Sequence, residues 1–394
     1  MDQISREYVR IAFAIEHYVE GFVDAYFGPP EYKQVEPIAP SELASSIAAL
    51  RREVQTSDYP ALRKSYLEAQ LRAMETTARK LSGEEISYTD EVRLLFDIEP
   101  THTPEYVFEE TNAQLDAALP GSGSISERLA NWRQQFEVTP EIARQMIDRI
   151  AGEARRRTAD LVTLPDDEGV EFALVSDKPW SGYNWYLGNM RSLVEINTDL
   201  PIRANALLDL VCHEAYPGHH TEHSIKERDL FLARGWGEQA IQLINTPVCV
   251  VSEGIATLAA EIIFGAEAGL WAAENLYPLA GISGDPEREQ QIAAAAYQQR
   301  ALNGNAALLL HDAGASPDEV VAYIMRYGLR TEREARQTLR FISTPLWRAY
   351  TFTYFSGRQL LRNWFEQGDA RQRFRTLLTE QVTPSQIAIW SGRV

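Results

Sequence analysis

Several features are scarce in this 394-residue sequence, and each scarcity excludes a class of protein. Only two cysteines are present, so a disulfide framework is not supported and we expect a reducing cytoplasm. The 38 Lys and Arg residues are outnumbered by 56 Asp and Glu residues, and the net charge of -18 argues against nucleic acid or a membrane surface as partner. A basic start followed by a long apolar run, as in a signal peptide, is also missing. We therefore expect a soluble globular protein.

Helical apolar spacing dominates the sequence on both sides of one interruption. It predicts helices over residues 3–26, 40–56, 60–81, 89–97, 104–118, 126–136 and 139–163, and then over 202–216, 236–264, 286–312, 316–327, 331–338, 345–366 and 370–380. In between, EFALVSD and MRSLVEIN are strand candidates that flank the aromatic segment KPWSGYNWYLGN. The prediction is a mainly α protein with a small β-sheet (α+β). It has a helical N-terminal region, 1–165, and a second region, 166–394, unless both form one continuous domain.

Four of the seven histidines lie within VCHEAYPGHHTEH, residues 211–223. The helix that leads into this segment is apolar except at Asn205, Asp209 and His213, which follow one another at steps of four residues. Such a polar stripe indicates a functional end of the helix, and Asp209 is a candidate to orient the ring of a metal-binding His213.

Two zinc motifs overlap in this segment and assign different roles to its side chains. In HExxH sites two histidines one turn apart bind the metal, and the intervening glutamate is the general base. Here Pro217 occupies the second histidine position, so the helix has to kink or stop before His219 can join His213. The inverted motif HxxEH matches residues 219–223 without insertion, with His219 and His223 as ligands and Glu222 as base. A third pairing joins His213 to His220.

Two flanking features favour a peptide hydrolase whose metal-binding motif begins at His213. The apolar segment PVCVVSEGIATLAAEIIFG carries Glu253, Thr257 and Glu261 as a polar stripe, and Glu253 could complete a His-His-Glu zinc site with an open fourth position. Upstream, the MRSLVEIN strand could accept an extended peptide as a further strand.

Four segments resemble a known family, the bacterial domain of unknown function 885, which is similar to the HExxH metallopeptidases of the thermolysin and carboxypeptidase Taq type. They are HEAYPGHH, SEGIATLAAE, RALNGNAALLLHDAGASPDEVVAYI and PLWRAYTFTYFSGRQLLR, and together they cover most of residues 185–365. The resemblance implies a zincin-like helical fold with an active-site cleft.

By position, the resemblance implies three zinc ligands, His213, His219 and Glu253, with Glu214 as the general base. His311 matches the histidine of a DTGLH element, and Tyr354 matches the tyrosine of a YxxG element. The sequence departs from the family pattern at Ile255, Ala307 and Leu309, and it carries Glu222 where the family usually has Gln.

The remaining candidates concern the substrate. Tyr354 or His311 could stabilise an oxyanion, although an aromatic core position and a structural histidine explain them as well. Arg348 and Arg358 could bind a substrate carboxylate, as in a carboxypeptidase or dipeptidase, or form salt bridges. The expected function is zinc-dependent hydrolysis of a peptide or small amide. The alternatives are a zinc hydrolase of a non-peptide amide or ester, and a metal-binding protein without turnover.

Overall fold

The computed structural model describes residues 1–178 and 180–392, and it is mainly helical. Helices account for 65% of the structure and strands for 8%, which confirms the predicted combination of many helices with a little β-structure. The helices are α1 (Gln3–Glu16), α2 (Pro40–Thr56), α3 (Ala61–Leu81), α4 (Tyr88–Phe96), α5 (Glu105–Ala118), α6 (Ile125–Gln134), α7 (Pro140–Ala159), α8 (Ala204–Glu214), α9 (His219–Lys226), α10 (Pro247–Phe264), α11 (Ala268–Asn275), α12 (Tyr277–Ala280), α13 (Pro286–Gln298), α14 (Leu302–His311), α15 (Pro317–Gly328), α16 (Glu332–Ser343), α17 (Thr351–Phe365), α18 (Ala370–Thr379) and α19 (Pro384–Trp390). The strands are β1 (Val23–Tyr26), β2 (Glu137–Val138), β3 (Gly169–Val175), β4 (Gly182–Gly188), β5 (Arg191–Asn197), β6 (Ile202–Arg203) and β7 (Ile241–Leu243).

The main sheet has three strands in the order β3-β5-β4, with β5 parallel to β3 and antiparallel to β4. MRSLVEIN therefore forms the central strand, and the expectation that a peptide could add to it is wrong because both of its edges are already paired. The aromatic segment supplies β4, an outer strand. This strand packs beside α8 and α9, next to the histidine cluster.

Three predicted helices differ in extent from the structure: one ends early, one begins late and one is divided in two. α1 stops at Glu16, and residues 23–26 instead form β1, which pairs with β7. β7 in turn occupies part of the segment predicted as helix 236–264, so that α10 begins only at Pro247. The predicted helix 286–312 is divided into α13 and α14 by a short 3-10 turn. A run of three or four apolar residues fits the periodicity of a helix as well as that of a strand. Which one forms here depends on pairing with a strand that is distant in the sequence.

The hydrophobic core crosses the predicted boundary at residue 165. One cluster of buried side chains joins α7, α8, α10 and α17, and another joins α4 to α10, α14 and α17. α10 lies at the centre of this arrangement. The stretch Pro247–Ala280 is long and apolar enough to cross a membrane by length and composition, but 67% of its most apolar window is buried inside the protein. This stretch is therefore explained as part of the hydrophobic core.

α10 and α17 cross with backbone in contact with backbone. A Cβ added to Gly357 would lie 2.3 Å from the carbonyl oxygen of Val250, and one added to Gly254 would lie 2.9 Å from the carbonyl oxygen of Gly357. Glycine at both positions therefore permits this close approach. The crossing brings the tyrosines at the start of α17 against the side chains of α10.

Candidate metal centre

The chain folds back sharply between α8 and α9, as Pro217 and Gly218 predict. α8 ends at Glu214, and the backbone returns so closely that the amide of Gly218 donates to the carbonyl of Cys212 at 3.0 Å. A Cβ on Gly218 would lie 1.9 Å from the carbonyl oxygen of His213, so only glycine fits there. This reversal places His219, the first residue of α9, beside the last turn of α8.

The reversal and the α8–α10 contact assemble four candidate side chains. One ligand atom from each of His213, Glu214 and His219 lies within 4.8 Å of the others. The rings of His213 and His219 are 4.8 Å apart and perpendicular at 88°. From α10, Glu253 directs Oε2 to within 3.5 Å of Nε2 of His213. His219 and Glu253 thus each lie close to His213.

The electrostatics of this group favour a cation. Burial, and then the neighbouring carboxylate of Glu253, raise the pKa of Glu214 to about 8. Burial also raises the pKa of Glu253 to about 8, against the hydrogen bond from Tyr350. The pKa values of His213 and His219 are lowered, in both cases chiefly by burial, so both rings are neutral at pH 7. A bound cation would offset the cost of two ionised carboxylates in this place.

The residues present fit zinc. Oε1 of Glu253 accepts a hydrogen bond from Tyr350, whereas the buried Oε2 has no partner among the described residues. This carboxylate oxygen lies beside the neutral ring of His213, and the neutral ring of His219 lies next to that of His213; an open His-His-Glu zinc site would use these three donors. Glu214, only 6% exposed, also offers a ligand atom within 4.8 Å of those of His213 and His219, so its role as base and not as ligand is an expectation from the sequence motif.

Glu222 is engaged elsewhere, which disfavours the inverted motif. Its Oε2 accepts from the hydroxyl of Ser252 at 2.6 Å, and its Oε1 accepts from Nζ of Lys226 at 2.6 Å. Although burial opposes ionisation, the charges of Lys226 and His223 and these hydrogen bonds leave the pKa of Glu222 lowered. A carboxylate that is buried, ionised and doubly hydrogen-bonded is poorly placed to accept a proton from a substrate water.

The other two histidines of the cluster have structural surroundings. Both ring nitrogens of His220 are used, one with Ser192 and one with Glu168, each at 2.9 Å, so the ring offers no free ligand atom. This disfavours the pairing of His213 with His220. The ring of His223 stacks parallel to that of His219, with 6.0 Å between centroids, and packs against Tyr186.

Two tyrosines of α17 face the same group of acids. Tyr350 donates its hydroxyl to Glu253 at 2.9 Å. Tyr354, one turn later, has 39% of its surface exposed, although its hydroxyl is buried. Burial raises the pKa of Tyr354 well above its usual value, and the charges of Glu253 and Glu214 raise it further. Tyr354 therefore stays protonated close to the candidate ligands, where a phenol can donate a hydrogen bond.

The two candidate substrate-binding arginines have protein partners. Arg358 donates to the backbone carbonyl of Thr257 and, at 2.7 Å, to Glu261. Arg348 forms an ion pair with the buried Glu91. These contacts agree with the salt-bridge alternative for both arginines.

His311 lies in a different cluster. Its Nε2 is 2.7 Å from the carbonyl oxygen of Ile342, to which it donates, and its ring packs on Tyr88 at 4.8 Å. Burial lowers the pKa of His311, although the Ile342 carbonyl opposes this shift. These partners are those of a structural histidine, and they are not residues of the metal centre.

Several residues of the centre have no clear signal in the sequence. Ser252 and Tyr350 contact the ligands from separate helices, and only the position of Tyr350 four residues before Tyr354 hints at a shared face. The orienting role expected of Asp209 is not supported, because among the described residues no hydrogen bond joins Asp209 to His213; the backbone group that influences the pKa of the His213 ring is that of Ala256.

No protein-family model matches the chain, and no curated protein matches it. Solved structures do match. A "putative lipoprotein" from Colwellia psychrerythraea superposes with a TM-score of 0.57 at 16% identity, over 96% of this chain and 68% of that one. A "putative lipoprotein of unknown function" from Shewanella oneidensis superposes with a TM-score of 0.51 at 11% identity, over 97% of this chain and 82% of that one. At these identities the likeness shows the fold alone.

Proposed function

We propose that this protein is a zinc-dependent hydrolase of the zincin type, and that its substrate is a peptide. One observation carries the proposal: ligand atoms of His213, Glu214 and His219 lie within 4.8 Å of one another, and Oε2 of Glu253, which has no hydrogen-bond partner among the described residues, lies 3.5 Å from Nε2 of His213, so the group holds one glutamate more than a His-His-Glu site needs. A structural zinc site has no need of this additional glutamate and usually closes its fourth position. The resemblance to domain of unknown function 885 supports the same assignment.

In the proposed reaction each residue has one task. His213, His219 and Glu253 hold the metal, which when bound supplies Lewis acidity toward a scissile carbonyl and lowers the pKa of a water molecule. Glu214 accepts the proton of the attacking water and passes it to the leaving amine. Tyr354 donates a hydrogen bond to the oxyanion that develops on the substrate.

The test combines bound zinc with peptide cleavage on the same samples. Wild type should contain about one zinc per chain, His213→Ala and His219→Ala should lose it, and His223→Ala should retain it. Glu214→Gln should retain zinc and lose at least about 100-fold in cleavage rate, the usual contribution of a general base. Loss of zinc in His223→Ala but not in His213→Ala would instead support the inverted motif.

Product analysis separates the remaining alternatives. Hydrolysis of an amide or ester library without cleavage of peptides would assign the same residues to a non-peptide hydrolase. Bound zinc with no turnover on any library would identify a metal-binding protein. A dipeptidase or carboxypeptidase, our first expectation, releases amino acids or dipeptides from chain ends.

For location we propose the cytoplasm, since both cysteines are free and buried. The name of the two structural neighbours motivates the competing proposal of a membrane-anchored protein. Cell fractionation with an antibody, followed by intact-mass measurement for lipid attachment, distinguishes the two.

A further inference from the structure

A chain of three hydrogen bonds leads from His219 into the protein interior. Nδ1 of His219 lies 3.1 Å from the hydroxyl oxygen of Ser252. That hydroxyl is 2.6 Å from Oε2 of Glu222, and Oε1 of Glu222 is 2.6 Å from Nζ of Lys226. The helix α9 carries His219, Glu222 and Lys226, whereas Ser252 belongs to α10, next to Glu253. The chain therefore joins two of the three helices that supply the candidate ligands, α9 and α10.

The direction of each bond follows from the donors available. An ionised carboxylate only accepts, so the single hydroxyl hydrogen of Ser252 is given to Glu222. The oxygen of Ser252 can then only accept from the histidine, which requires the proton of the neutral ring to be on Nδ1. Nε2 of His219 is left with a free lone pair, and this is the atom available to a metal.

We propose that Ser252 and Glu222 are positioning residues that fix His219 in the tautomer with the proton on Nδ1. The proposal rests on the zinc site proposed above, but the tautomer itself is a property of the metal-free protein. Lys226 completes the arrangement: only 7% exposed, it neutralises the carboxylate that orients Ser252.

A purely structural role predicts a different outcome. If Glu222 and Lys226 only stabilised α9 as a buried ion pair, removal of the Ser252 hydroxyl would leave that pair intact and the histidine unaffected. Ser252→Ala is therefore the informative variant, and Ser252→Thr restores the hydroxyl. Ser224→Ala is the matched control, because the Ser224 hydroxyl donates to the Thr221 carbonyl within α9.

The experiment has two readouts on wild type and the three variants. Nitrogen-15 NMR of histidine-labelled, metal-free protein reports the tautomer of His219, which is assigned with His219→Ala. Competition with a chelator reports the affinity for zinc. We expect Ser252→Ala to give mixed tautomers and a 10- to 100-fold weaker affinity, the usual cost of losing an orienting partner. Ser252→Thr and Ser224→Ala should resemble wild type in both readouts.

An unchanged tautomer in Ser252→Ala would overturn the proposal, as would a wild-type proton on Nε2. Failure of the zinc site is recognised separately, because wild type would then bind no zinc while the NMR readout still decides the tautomer. A mixed tautomer in Ser224→Ala as well would also count against the proposal, since the effect would then not depend on the Ser252 hydroxyl.

Discussion

Replacement of Gly218 by alanine tests whether the chain reversal positions His219. The added Cβ would lie 1.9 Å from the carbonyl oxygen of His213, whereas Cβ contacts under 3.0 Å essentially never occur. The difference between these distances demands a shift of about 1.1 Å. Because the nearest atoms are backbone atoms of α8, the displaced element is the start of α9, which carries His219.

A shift of this size exceeds the tolerance of a metal site, where ligand distances hold to about 0.2 Å. We expect Gly218→Ala to weaken zinc binding by at least about 100-fold, and overpacking to cost about 1–3 kcal/mol of stability. Chelator competition measures the first and thermal denaturation the second. Gly152→Ala is the matched control, because Gly152 lies in α7 with nothing within 4 Å of an added Cβ. Wild-type zinc affinity in Gly218→Ala would refute the reasoning.

Four further predictions concern charge and hydrogen bonding. Tyr350→Phe removes the donor to Glu253 and should weaken zinc binding about 10- to 100-fold without unfolding the protein, as chelator competition would show. Because a proton competes with the metal for Glu253, whose pKa is about 8, zinc affinity should rise about tenfold per pH unit and level off above about pH 8. The metal-free protein also holds protons on Glu253 and Glu214 that the unfolded chain has released, whereas its buried His213 and His219 favour folding increasingly up to about pH 6.5. Its thermal stability should therefore fall as pH rises from about 6.5 to about 8, and a rise in this window would contradict these pKa values. Arg348→Ala leaves the buried Glu91 with one fewer partner, so it should cost about 1–3 kcal/mol of stability and leave the zinc content unchanged. If the variant instead keeps its stability and loses only affinity for a substrate carboxylate, Arg348 is a substrate-binding residue.

The placement of the candidate ligands could be predicted from local rules. Pro217 and Gly218 forbid a continuous helix, so a turn had to separate His213 from His219. The stripe of Glu253, Thr257 and Glu261 on an apolar helix required polar surroundings, and in the structure Glu253 lies beside His213 and Glu261 pairs with Arg358. These predictions depend on spacing within one element.

The partners that orient the ligands could not be predicted in this way. Ser252 and Tyr350 act across helices that are far apart in the sequence, and little in their own segments distinguishes them from ordinary polar or aromatic positions. Glu222 stood out only as the possible base of the inverted motif, and its contact with Ser252 on α10 could not be inferred from that motif. The central position of β5 was missed for a similar reason. The alternation of apolar residues in β5 is the same whether the strand pairs with one other strand or with two. Its parallel partner β3 is also separated from it in the sequence by β4.

The contact between Gly254 and Gly357 limits how this scaffold can vary. The backbones of α10 and α17 touch at the two glycines, and this contact brings the Tyr350 hydroxyl within hydrogen-bonding distance of Glu253. The position of that hydroxyl therefore depends on two residues that are not themselves candidate ligands. A larger residue at either glycine would separate the helices and withdraw the hydroxyl from the carboxylate. Sequence variation around the candidate metal centre therefore has to leave both glycines in place, and it is less restricted at partly exposed positions such as Tyr354.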